Sequence, residues 1–208
     1  HTVDYDQVVS ALEELLAIDP HRYEITVFGA EPYNNYNRIL LSPVLAGEKT
    51  IEDIILNDDQ WYAQHKITLH KGDTVTAIDR EKKTVTSANG ITLDYDKLLI
   101  ATGSNPIILP VPGHKLEGVI SYRDIRDVEL MLAASREGRH AIVIGGGLLG
   151  LEAAYGLLKQ GMQVTVVHLL DTLMERQLDK PAADLLKASL EKRGIQFLME
   201  AQTAEIVG

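Results

Sequence analysis

Apolar positions along this chain change period near its middle. Residues 4–17 place Val8, Leu12, Leu15 and Leu16 on one helical face, and Asp4 with Gln7 has capping-box spacing. A β-rich run over residues 23–28 follows and ends at Gly29. The Asn-rich loop Asn34, Asn35, Asn37 comes next, then a mixed, helical stretch over 50–66. Residues 67–100 read as antiparallel strands. Segments 74–78 and 84–86 flank a charged turn, and Asn89-Gly90 is a hairpin signal. Residues 97–100 read as a buried strand closed by Ala101-Thr102-Gly103.

Proline and glycine cluster over 106–113, the expected crossing between two domains. Beyond it helices (125–136, 148–160, 181–193) alternate with strands (141–144, 163–168, 196–199). That alternation predicts a parallel sheet covered by helices, an α/β fold.

One of these junctions carries chemistry. Gly145, Gly147 and Gly150 fit G-x-G-x-x-G between an apolar strand and a helix that Gly161 stops, with a second strand beginning near Val164. The first glycine permits the tight turn, the second lets backbone approach a pyrophosphate, and the third lets helix pack close on strand. A helix N-terminus favours an anion through its free N–H groups and its dipole. Position 168, at the end of the second strand, reads the adenosine ribose in such folds. It holds His168, neither an acid for a 2′-hydroxyl nor a fixed cation for a 2′-phosphate, and Asp171 lies three residues on. NADH is expected slightly ahead of NADPH.

Composition narrows the rest. The formal net charge is −10 and no basic stripe is visible, which argues against nucleic acid. No run reaches the roughly eighteen apolar residues of a membrane span. With 0 cysteines there is no disulfide, thiolate nucleophile or cysteine-held iron–sulfur cluster, so electron handling needs an organic cofactor. The 7 histidines show no metal-ligand spacing, and no side chain is needed as a catalytic acid. A cytoplasmic location fits this composition.

The segment Gly145-Gly146-Gly147-Leu148-Leu149-Gly150-Leu151-Glu152-Ala153-Ala154 resembles the NAD(P)H site of flavoprotein reductases with two dinucleotide-binding domains. Leu99-Ile100-Ala101-Thr102-Gly103-Ser104 resembles the segment closing their FAD domain, and Glu31-Pro32 with Tyr36 and Arg38 the end of its second strand. Leu173-Met174-Glu175-Arg176-Gln177-Leu178-Asp179 is similar to a segment of assimilatory NAD(P)H nitrite reductase large subunits. The resemblance implies two Rossmann-like domains with parallel sheets. An incomplete FAD-type domain over 1–112 would carry an antiparallel hairpin insert, and an NAD(P)H domain would span 113–208.

It also implies roles. Glu31 would hold the FAD ribose and Arg38 would lie near its phosphates. Val75 would touch adenine, and Ala101, Thr102 and Gly103 would line the FAD site. Gly145, Gly147, Leu148, Leu149, Gly150 and His168 would hold NAD(P)H, and Glu152 would stand where nicotinamide meets flavin. The implied activity is hydride transfer from NAD(P)H to FAD. Electrons would then pass to a sirohaem and four-iron–four-sulfur centre outside this chain, with remaining domains or a small subunit as partners and an oligomer possible. Residues 1–8 hold no glycine where the family has its first glycine loop, so a piece of a longer protein with weak FAD binding is expected. Alternatives are a stand-alone rubredoxin or ferredoxin reductase and a flavin-free nucleotide-binding module.

Overall fold

The computed structural model describes residues 5–207, so the expected cap at Asp4 lies outside the described residues. The chain forms two units: residues 1–38 with 54–104, and residues 39–53 with 105–208.

In the first unit, α1 (Tyr5–Ile18) lays Leu12 against Tyr62 and Ile67, with Val8, Leu16, Ile25, Val27, Trp61 and Leu69 around them. Strand β1 (Thr26–Gly29) pairs in parallel with a later strand, Thr68–Lys71. Between them run α2 (Leu41–Leu45), which belongs to the second unit, and α3 (Asp59–Gln64). The Asp58 carboxylate accepts the Trp61 N–H at 2.8 Å and so caps α3. The later strand is β2.

An antiparallel pairing was expected for residues from 67 onward. The long connection from β1 instead brings β2 back in the same direction, as parallel pairing requires. The antiparallel part starts at β3 (Val75–Asp79) and continues through β4 (Thr84–Ser87) and β5 (Thr92–Asp94). Gly90 supplies the positive φ of 85° at the β4–β5 turn.

Residues 97–100 were expected as a buried strand. They take no strand conformation, and Leu99 and Ile100 are 66% and 63% exposed. Among the described residues no neighbouring strand offers them a ladder, and apolar composition alone does not make one.

The second unit follows the alternating pattern closely. Helix α4 (Ile125–Ser135) precedes β6 (His140–Ile144), α5 (Leu148–Lys159), β7 (Gln163–Val167), α6 (Lys180–Lys192) and β8 (Ile195–Leu198). Strands β6, β7 and β8 form a parallel sheet in that order, with Val143 opposite Val166 and Val166 opposite Phe197. Val164, Val166 and Ile195 are buried with Leu151, Ala154 and Leu157 of α5. Helix α2 packs on α5 where Gly156 leaves room: a Cβ there would stand 2.7 Å from Leu45 Cγ. Leu45 is fully buried, which stabilises this contact by about 2 kcal/mol. Among the described residues no helix is long and apolar enough to cross a membrane.

Candidate nucleotide site at the glycine turn

Strand β6 ends in Gly145-Gly146-Gly147, and α5 begins at Leu148. The Gly145 N–H donates to the Val167 carbonyl at 2.8 Å, which carries the sheet pairing into the turn. Gly145 has φ 118°, a conformation side chains rarely adopt. Gly150 sits over it: a Cβ on Gly150 would lie 2.0 Å from the Gly145 carbonyl oxygen, so helix and strand meet backbone to backbone.

Gly147 differs from both. It is the N-cap of α5, with ordinary extended backbone (φ −82°, ψ −178°) and no side-chain cap hydrogen bond. A Cβ there meets nothing within 4 Å. Space therefore opens at the helix N-terminus, beside N–H groups that no side chain caps and that carry the positive end of the helix dipole. Leu148 and Leu149 flank it, each 52% exposed. This cradle fits a dinucleotide pyrophosphate.

Gly146 is buried and tied to the segment after β7. Its N–H donates to His168 Nδ1 at 3.0 Å, and its carbonyl accepts the Met174 N–H at 3.0 Å. His168 Nε2 lies 3.0 Å from the Thr172 carbonyl and 3.6 Å from Glu175 Oε2. Both ring nitrogens, expected at the ribose, thus face protein groups, and His168 is only 8% exposed. Asp171 is exposed. The Thr172 hydroxyl, first, and the Lys180 charge hold its carboxyl below the usual range.

Glu152 lies one turn into α5. Its Oε2 accepts the Ser42 hydroxyl of α2 at 2.6 Å, and the Tyr122 hydroxyl lies 2.8 Å from Ser42 Oγ. Serine has one proton and gives it to Glu152, so Tyr122 donates to Ser42. Burial, above all, pushes the Tyr122 hydroxyl up to about 12, and the Glu152 charge adds to it. Neighbouring Asp127 closes a capping box with Asp124 at the start of α4. Burial raises its pKa, against the Ser121 hydroxyl bond.

Sequence reasoning missed Ser42 and Tyr122. Ser42 sits in a five-residue helix, too short to show a period, and only its partner at position 152 reveals its use. The Asp124–Asp127 spacing before an apolar run was a visible signal for the start of α4.

The remaining expected residues lie in the first unit. Glu31 follows β1 and is gripped on both oxygens, by Arg38 at 2.6 Å and the Tyr36 hydroxyl at 2.6 Å. The arrangement fixes a carboxylate that retains lone pairs for a ribose hydroxyl. Val75 opens β3 opposite Ser87. Ala101, Thr102 and Gly103 follow without regular structure, with Gly103 at φ 64°. Among the described residues no second G-x-G-x-x-G turn occurs. Among the described residues no group of three or more His, Asp or Glu side chains could hold a metal.

The model of the family described as "Pyridine nucleotide-disulphide oxidoreductase" matches residues 9–208. The chain belongs to this family. Within it, the chain is 54% identical over 200 residues to the NAD(P)H nitrite reductase of Bacillus subtilis (strain 168), covering 96% of this chain and 25% of that protein. It is 48% identical to the assimilatory nitrate reductase electron transfer subunit of the same organism, covering 96% of this chain and 26% of that protein. It therefore spans about a quarter of these relatives. Among solved structures, NADH:rubredoxin oxidoreductase from Clostridium acetobutylicum superposes with TM-score 0.76 at 30% identity, over 86% of this chain and 47% of that one.

Proposed function

We propose that this chain is the electron-entry portion of an NAD(P)H-dependent flavoprotein reductase of the nitrite reductase type. The observation that carries the reading is the open cradle at Gly147, set on the N-terminus of α5 between parallel strands. Gly145, Gly147, Leu148, Leu149 and Gly150 hold the pyrophosphate of NAD(P)H. Glu152, aimed by the Ser42 hydroxyl, serves the nicotinamide end. Glu31, Arg38 and Val75 serve the adenosine of FAD, and Ala101, Thr102 and Gly103 line its site. In domain terms, residues 1–112 form the partial FAD side and 113–208 the NAD(P)H side.

When bound, NAD(P)H supplies a hydride and the flavin accepts it. The protein binds, orients and excludes water. Sirohaem and the iron–sulfur cluster belong to further domains or subunits, because this chain has no cysteine to hold a cluster. A cytoplasmic location is part of the proposal.

The test is equilibrium binding of NADH to the 208-residue chain, followed by nicotinamide fluorescence, then bleaching of flavin absorbance when NADH meets the FAD-loaded full-length parent protein. Saturable binding and bleaching are expected; absence of saturable binding rejects the reading. The 30% identity to a rubredoxin oxidoreductase supports a second reading, a ferredoxin or rubredoxin reductase. Electron transfer to those carriers but not to a sirohaem domain would favour it. A full-length parent protein that stays colourless after purification with added FAD would favour a flavin-free nucleotide module.

A further inference from the structure

The inference concerns His168 and rests on the nucleotide reading of the glycine turn. Strand β7 delivers the imidazole beneath the turn, where it bridges two segments. Nδ1 takes the Gly146 N–H at 3.0 Å, and Nε2 meets the Thr172 carbonyl at 3.0 Å. A backbone N–H can only donate and a carbonyl can only accept. The two contacts together therefore demand the neutral ring with its proton on Nε2.

Backbone contacts fix where the ring stands. The His168 N–H donates to the Leu198 carbonyl at 2.8 Å, and its carbonyl accepts the Ala201 N–H at 2.9 Å. Residue 146 must be glycine for the ring to fit: a Cβ there would lie 2.5 Å from Leu173 Cδ2 and 2.9 Å from His168 Cγ. Gly146 directly precedes the open Gly147 cradle, so whatever fixes the Gly146 peptide also aims the Gly147 backbone.

We propose that His168 is a positioning residue for the pyrophosphate cradle, acting through the Gly146 N–H rather than by touching the ribose, and that dinucleotide affinity falls when its ring is protonated. Protonation places a second N–H on Nδ1, facing the Gly146 N–H. Two donors then oppose each other and the turn must open. Glu175 faces the ring from the Nε2 side, 3.6 Å away, opposite to Gly146 on Nδ1. The turn meets the ring with Gly146, the following segment with Thr172 and Leu173, and β8 with the Leu198 backbone. Asp171 and Lys180, further along that segment, face each other at 3.6 Å.

The experiment measures NADH affinity between about pH 5 and 8.5, a range over which the NADH diphosphate keeps its charge. The wild-type chain is compared with His168→Asn and His168→Ala. Asparagine keeps an acceptor oxygen near the place of Nδ1 and cannot titrate. Wild type loses affinity toward acid. His168→Asn retains the high-pH affinity and shows no acid step. His168→Ala binds about fivefold to tenfold more weakly at all pH values, the loss expected for one hydrogen bond to an organised site.

Long-range nitrogen NMR of the ring gives an independent readout, with Nδ1 unprotonated and Nε2 protonated at neutral pH. A wild-type affinity flat with pH, an acid step that survives in His168→Asn, or the opposite tautomer overturns the proposal. Absence of NADH binding by the wild type at every pH overturns the nucleotide reading itself, and the tautomer still decides whether His168 holds Gly146.

Discussion

Gly147 and Gly150 are three residues apart and both belong to the same motif, yet the structure predicts opposite consequences for adding one methyl group. Gly147→Ala places its Cβ in open space on extended backbone that alanine adopts freely. Alanine is the poorer N-cap, by several tenths of a kcal/mol to about 1. It also restricts the unfolded chain, which returns about 0.4–1 kcal/mol. The two nearly cancel, so the melting temperature should stay within about 2 °C of wild type.

Gly150→Ala forces its Cβ to 2.0 Å from the Gly145 carbonyl oxygen and 3.0 Å from the Gly145 carbonyl carbon. Both are backbone atoms, so the helix must move off the strand at about 1–3 kcal/mol or more. That lowers melting by about 2–4 °C for each kcal/mol lost. Binding reverses the order of interest. In Gly147→Ala the methyl group occupies the pyrophosphate's approach and weakens NADH by about 1–3 kcal/mol, roughly fivefold to 150-fold. The assays are a thermal melt and an NADH fluorescence titration on each variant. Wild-type affinity in Gly147→Ala, or a melting loss there equal to that of Gly150→Ala, would refute the reasoning.

Ser42→Ala removes the hydroxyl that joins Tyr122 to Glu152 and should cost about 1 kcal/mol, seen as a melting temperature lower by about 2–4 °C. One of the 8 tyrosines should titrate near about 12 by tyrosinate absorbance and vanish from the curve in Tyr122→Phe. Because the folded-state value is raised, the associated stability is complete below the ordinary tyrosine range near 10 and is lost as pH climbs through about 12. NADH and NADPH affinities should differ by no more than about tenfold, 1.4 kcal/mol, since residue 168 presents neither carboxylate nor cation to the ribose; a thousandfold preference in calorimetry would assign the reading to another side chain.

The second unit was legible because each of its signals is local. Strands β6 and β7 are short apolar runs, α5 and α6 are long enough to show their period, and glycine marks the turn between β6 and α5. The parallel partner of β2 was not legible, because pairing depends on a strand some forty residues earlier and the period of two is the same in either direction. Residues 97–100 misled for a related reason: Leu98-Leu99-Ile100 has the composition of a buried strand, but burial depends on what the rest of the chain lays beside it.

At the site, the three motif glycines could be read from spacing alone. The work of Gly146 could not. That position is variable in the motif, and its requirement for glycine comes from a histidine 22 residues away. Glu31 shows the same limit. Its place after β1 was visible in sequence, whereas the Arg38 and Tyr36 grip that fixes both carboxylate oxygens needed the loop's path.

The N-terminus of α5 is proposed as a dinucleotide-binding cradle. Amide NMR of the isotopically labelled chain titrated with NADH tests it most directly, because it reports where the ligand touches as well as whether it binds. Saturable shifts are expected, largest at the amides of Gly145, Gly147, Leu148 and Leu149, and all moving to higher NADH concentration together in Gly147→Ala. Saturable binding that leaves those four amides unmoved would contradict it.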